Sequence, residues 1–213
     1  MLEGIPIKDK IIISALKNIN FDGWTKESII SGFESNKIKI DNYENIFPNG
    51  IIDAMLHFAD LSDRQMIEKF HEIDKSNLKI PDKIKKLLLS RFTILNPNKE
   101  AVRKSIAILA LPKNANYALK ALYKTTDEIW RTVGDQSTDF SFYSKRVILA
   151  GVYSTTMMSW LGSIDPDLSK VDEFIDRRLN NVKLIGTITK PLKEKMKSPL
   201  DIFSKFPFFN FNR

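Results

Sequence analysis

The chain has 213 residues and no cysteine; since about 100 to 200 residues make one domain, a single domain over 1–182 with a tail over 183–213 is expected. Hydrophobic residues make up 43%, enough to fill a core and too many for a wholly disordered chain, while the missing cysteines exclude disulfides, thiolate metal sites and a cysteine nucleophile. The net charge of +7 is uneven, with −4 over residues 21–60, +5 over 61–180 and another +5 over 181–213.

At the start, residues 1–10 carry Glu3, Lys8, Asp9 and Lys10 and lack the apolar run and small-residue cleavage site of a secretory signal, so secretion is not expected. No stretch reaches the ~20 uninterrupted apolar residues of a membrane span. Apolar residues recur at helical spacing along most of the chain and strand-like alternation is scarce, which predicts an all-α fold. Three short helices open it, over about 5–18, from a Thr25 cap to Gly32, and over 42–46, so that residues 1–50 have the layout of a helix-turn-helix unit. Asn49-Gly50 precedes a helix here, not a hairpin. The fourth helix carries Ile51, Met55, Phe58, Met66, Phe70 and Ile73 and ends before Pro81, because a residue preceding proline disfavours the helical region. Helices over about 82–95, 99–110, 113–133, 141–161 and 166–182 follow. The segment 147–161 is apolar around most of its circumference, the pattern of a buried central helix. Its Met157 and Met158 suit either core packing or the wall of an adaptable cavity.

Motifs for catalysis are missing. Glu68 and His71 make one Glu-x-x-His, but the di-iron arrangement needs a second copy, and the residue three before His57 is Ala54. His71-Glu72 has Lys75 where a zinc protease needs its second histidine. No P-loop, Gly-x-Gly-x-x-Gly or Gly-x-Ser-x-Gly occurs. Both histidines read as helix-surface residues, and no enzyme activity, cofactor or metal is expected. Asp135 and Asp139 could share acid and base work, or Asp139 could simply cap the eighth helix.

The helix-turn-helix layout raises DNA binding, but residues 21–60 hold three lysines against seven acids, and the would-be recognition segment 41–46 has two acids and no base. Duplex binding rests on neutralising phosphates, so nucleic acid is not an expected partner.

The run Ile129-Trp130-Arg131-Thr132-Val133-Gly134-Asp135-Gln136-Ser137-Thr138-Asp139-Phe140-Ser141-Phe142-Tyr143-Ser144-Lys145-Arg146 continues through Val152-Tyr153-Ser154-Thr155-Thr156 to Phe174-Ile175-Asp176-Arg177-Arg178. With Gly23-Trp24, Phe47-Pro48-Asn49-Gly50 and Leu111-Pro112 before it, the sequence resembles the Coq-nine family, lipid-binding accessory proteins of ubiquinone biosynthesis. The resemblance implies a TetR-like fold that has lost DNA binding and keeps a cavity for a lipid or isoprenoid quinone precursor, and implies a homodimer. It also implies a partner, the di-iron demethoxyubiquinone hydroxylase, docking on Asp135, Ser137, Thr138, Asp139, Phe142, Tyr143 and Arg146. Position 142 is phenylalanine where the family commonly has tryptophan, a smaller stacking surface without an indole donor. The family's location implies the cytoplasmic face of a bacterial inner membrane, or the matrix side of the mitochondrial one. A TetR-type ligand-responsive regulator is the alternative.

Large apolar residues on the late helices, Leu119, Leu122, Trp130, Leu149, Val152, Tyr153, Met157, Trp160, Phe174 and Leu179, exceed what one packed face requires and predict a lipid pocket. The tail carries Lys193, Lys195, Lys197 and Lys205, five of the fourteen phenylalanines, and a strong helix start at Ser198-Pro199. Leu200, Phe203 and Phe206 would share one face of that helix. Basic and apolar residues together suit an anionic phospholipid surface, and the family's membrane-associating amphipathic helix occupies this place. A tail folded back onto its own domain or a dimer mate is the other reading.

Overall fold

The computed structural model describes residues 5–138, 140–164 and 167–188. The described residues fold into α-helices with short 3-10 turns and no strand: α1 (Ile7–Asp22), α2 (Lys26–Ser35), α3 (Tyr43–Ile46), α4 (Ile51–His71), α5 (Ile80–Leu95), α6 (Lys99–Leu109), α7 (Ala115–Thr132), α8 (Phe140–Gly162) and α9 (Leu168–Ile188). The all-α expectation holds. The fourth helix stops at His71, well before Pro81, and α5 begins at Ile80 with Pro81 in its first turn, where its missing N–H costs nothing. The first helix runs four residues past Asn18, to Asp22.

Two compact units divide these helices. One takes the described residues up to Lys69 together with Thr93–Thr125, and its core is built from α1, α2 and α4. Ile11, Ile12, Ala15 and Ile19 on α1 meet Ile29 and Phe33 on α2, all fully buried. The approach is close because position 32 is glycine: a Cβ there would collide with the Ile11 carbonyl oxygen. Thr25 caps α2 as expected, its hydroxyl accepting from the Ser28 N–H at 3.0 Å. Trp24 donates its indole N–H to the Ala101 carbonyl at 2.8 Å, which joins the start of α2 to α6.

The other unit takes Phe70–Phe92 and the described residues from Thr126 onward. Here α8 buries Leu149, Val152, Tyr153, Thr156, Met157 and Trp160, and Phe92 of α5 lies between Tyr153 and Trp160 at ring-centroid distances of 5.9 and 5.5 Å. The segment 147–161, expected as a buried central helix, has one buried side; Met158 and Ser159 are exposed. Lys85 on α5 reaches Asp172 and Asp176 on α9 at 2.9 and 2.5 Å. That clamp fixes α9, whose Val171 and Ile175 are buried.

Candidate functional site: the α7–α8 corner and the α8–α9 groove

Helix α7 ends in a turn that the sequence dictates. Gly134 adopts φ +87, a conformation open to glycine, and lets its own N–H reach the Arg131 carbonyl while the Asp135 N–H reaches that of Trp130, both at 3.0 Å. This pair of bonds is a Schellman closure, and it turns the chain sharply toward α8.

Charged side chains then tie the two helices together. Arg146 on α8 is 2% exposed. It donates to Asp127 on α7 at 2.6 Å, to Asp135 at 3.3 Å and to the Phe142 carbonyl at 3.0 Å. Lys145 donates to Asp135 at 2.7 Å, and its ammonium sits over the Trp130 ring at 5.4 Å. The indole of Trp130 in turn donates to the Lys145 carbonyl at 3.1 Å. Burial alone would raise the Asp135 carboxyl, but hydrogen bonds from Lys145 and Ser137, the Lys145 charge and the Arg146 contact outweigh it and hold the group at about 2. Asp135 is therefore a permanent anion of the corner and unsuited to general acid chemistry near neutral pH.

What the corner presents outward is aromatic. Tyr143 is 52% exposed and stands edge-on to Phe142, with ring centroids 5.1 Å apart at 77°. The Arg146 guanidinium covers the Phe142 ring at 3.3 Å from its centroid. Of the residues expected to dock a partner, Tyr143 and Thr138 are exposed, Ser137 and Phe142 are half-buried, and Arg146 and the Asp135 carboxylate face inward. Asp139 lies outside the described residues, as do Lys193, Lys195, Lys197, Leu200, Phe203, Lys205 and Phe206 of the expected membrane helix.

A groove of about 340 Å³ runs between α8 and α9, with Trp160, Val171 and Phe174 as its apolar part and Thr156, Ser159, Ser163, Lys170 and Arg177 among its polar lining. Trp160 and Phe174 are the expected pocket residues that line it. Leu149, Val152, Tyr153 and Met157 are buried in the same unit, and Leu179 and Trp130 are half-buried there. Leu122, half-buried, and Leu119, 60% exposed, sit on the part of α7 that falls in the other unit.

Sequence reasoning missed Asp127, whose spacing of four to Arg131 was the available signal; that pair forms at 2.7 Å. It also missed a second buried carboxylate. Asp9 on α1 accepts from Arg64 through both oxygens, at 2.7 and 2.8 Å, and contacts His57 Nε2 at 2.6 Å. His57 is thus a partner of a buried acid and not a free surface residue, whereas His71 is exposed. Among the described residues no cluster of histidine and carboxylate groups could hold a metal ion, and no helix is long and apolar enough to cross a membrane.

Comparison with known proteins places these features. The COQ9 family model matches residues 115–186, the stretch that holds the corner and the groove. The chain is 29% identical over 196 residues to the mitochondrial ubiquinone biosynthesis protein COQ9 of Rattus norvegicus, covering 88% of this chain and 62% of that protein. Against the Homo sapiens protein of the same name it is 27% identical, over 88% of this chain and 61% of the other. The chain thus spans about three fifths of the length of the curated relatives it matches. Among solved structures, a TetR transcriptional regulator from Nitrosomonas europaea superposes with a TM-score of 0.63 at 16% identity, over 82% of this chain and 97% of that one. The resemblance read from the Ile129–Arg146 run therefore stands: over most of its length this chain is similar to COQ9 proteins, and its all-α fold is TetR-like.

Proposed function

We propose that the chain is a non-catalytic accessory protein of ubiquinone biosynthesis, which binds membrane and presents an isoprenoid quinone precursor to the demethoxyubiquinone hydroxylase. The observation that carries this reading is the similarity to COQ9 proteins over 88% of the chain; the family-model match over 115–186 spans both the exposed aromatic corner and the groove. The corner suits a partner, because a half-exposed tyrosine held against a second ring is a common anchor at interfaces. The groove suits an amphiphile. Its volume lies at the lower end of ligand clefts, and the Trp160, Val171 and Phe174 surface can take an apolar chain while the mixed charges of Asp167, Lys170, Glu173 and Arg177 can meet a polar head. The basic, phenylalanine-rich tail supports contact with anionic phospholipid.

The test is turnover of a water-insoluble quinone precursor held in phospholipid vesicles. Adding the chain to the hydroxylase should raise the rate, and the chain alone should give none. An unchanged rate, or hydroxylation by the chain without the enzyme, would overturn the reading.

A further inference from the structure

We infer that Arg146 is a positioning residue that sets the aromatic docking surface of the α7–α8 corner from beneath and makes no contact with the partner itself; this rests on the reading of that corner as the hydroxylase's docking surface. With 2% of its surface exposed, Arg146 has no face to offer a partner. Its donors are instead committed inward, to Asp127 on α7, to Asp135 in the turn and to the Phe142 carbonyl. The planar guanidinium so fixed lies 3.3 Å from the Phe142 ring centroid, and Phe142 holds Tyr143 edge-on at 5.1 Å. The chain of contacts runs from a buried ion-pair set, through a stacked cation, to the exposed Tyr143 ring.

Each link has a physical reason to be arginine. A lysine could keep the charge but has neither the fork that reaches two carboxylates and a carbonyl at once nor the flat face that stacks on a ring. Ordering an exposed tyrosine before binding removes part of the entropy that association would otherwise cost, so a preorganised corner binds more tightly with the same contacts. Arg146 acts through Phe142 and Tyr143, and its effect must vanish when Tyr143 is absent.

The test is a double-mutant cycle on hydroxylase binding, with the full chain and melting temperatures measured alongside. Tyr143→Ala alone should weaken binding; no weakening would overturn both the docking surface and the positioning role. Arg146→Lys alone should weaken binding about tenfold, or about 1.4 kcal/mol. In the Tyr143→Ala background, Arg146→Lys should change binding by less than about twofold. If it still weakens binding about tenfold there, Arg146 acts independently of Tyr143 and the inference is wrong even though the docking surface stands. Should Arg146→Lys fail to fold, Phe142→Leu removes the stacked ring and leaves the ion pairs with Asp127 and Asp135 in place. It should show the same dependence on Tyr143, and additive losses would again overturn the positioning role.

Discussion

Asp9 and Asp135 are carboxylates kept charged inside the protein by their neighbours. Two hydrogen bonds from Arg64, opposed by burial and helped by His57, hold Asp9 below the usual carboxylate range, and Asp135 is held at about 2. A carboxyl whose folded pKa is depressed contributes stability that is complete above its unfolded value near 3.8 and is lost as pH falls through the folded one. The free energy of unfolding should therefore drop between pH 4 and pH 2, and Asp135→Asn should remove on the order of 2 kcal/mol of that fall. A wild-type acid limb that Asp135→Asn leaves unchanged would show that the corner's ion pairs contribute nothing net. These pairings were poorly legible in the sequence for a plain reason. Asp9 and His57 stand 48 residues apart and Asp127 and Arg146 stand 19 apart, and periodicity reports only which side of a helix a residue shares with near neighbours.

At the scale of the element, local chemistry was readable. The Thr25 cap and the helix following Asn49-Gly50 both formed, because a hydroxyl at an N-terminus and a glycine with positive φ act over four residues or fewer. Boundaries set by tertiary contact were less so, as with α1, whose last turn is held by Lys104 of α6 donating to the Asn20 and Phe21 carbonyls at 3.0 and 2.7 Å. The α1–α2 contact makes a sharper prediction. Gly32→Ala should destabilise by about 3 kcal/mol in denaturant melts, since the added methyl meets backbone that cannot move aside as a flexible side chain would. A loss under about 1 kcal/mol would mean that the two helices separate easily. The same helices bear on DNA. Tyr43 of the four-residue α3 is buried beneath the Lys26 ammonium, 5.0 Å from its ring, and the −4 charge of residues 21–60 repels phosphate. Fluorescence anisotropy at about 0.15 M salt should show no sequence-selective duplex binding, and a selective complex would favour a TetR-type regulator.

Over the whole molecule, the fold was legible because helical periodicity and a long family-like run agree, whereas the groove was only partly so. Trp160 and Phe174 line it, but Val171, Ser159 and Lys170 were not foreseen, since which side of α9 meets α8 depends on the Lys85 clamp from a third helix. Net charge and tail composition lead to a membrane prediction. Deleting residues 198–213 should weaken flotation with anionic phosphatidylglycerol vesicles while leaving the helical circular dichroism signal, and high salt should weaken binding of the full chain. Flotation that survives deletion would remove the tail from membrane contact. The accessory reading depends most on whether the protein holds a lipid, and mass spectrometry of lipid extracted from the full chain purified without detergent tests that most directly. An isoprenoid or acyl lipid approaching one per chain is expected, with a reduced content in Ser159→Trp, which fills the groove from an exposed position without entering the core. Purified chain carrying no lipid, or equal lipid in the wild type and Ser159→Trp, would contradict a lipid site in the α8–α9 groove.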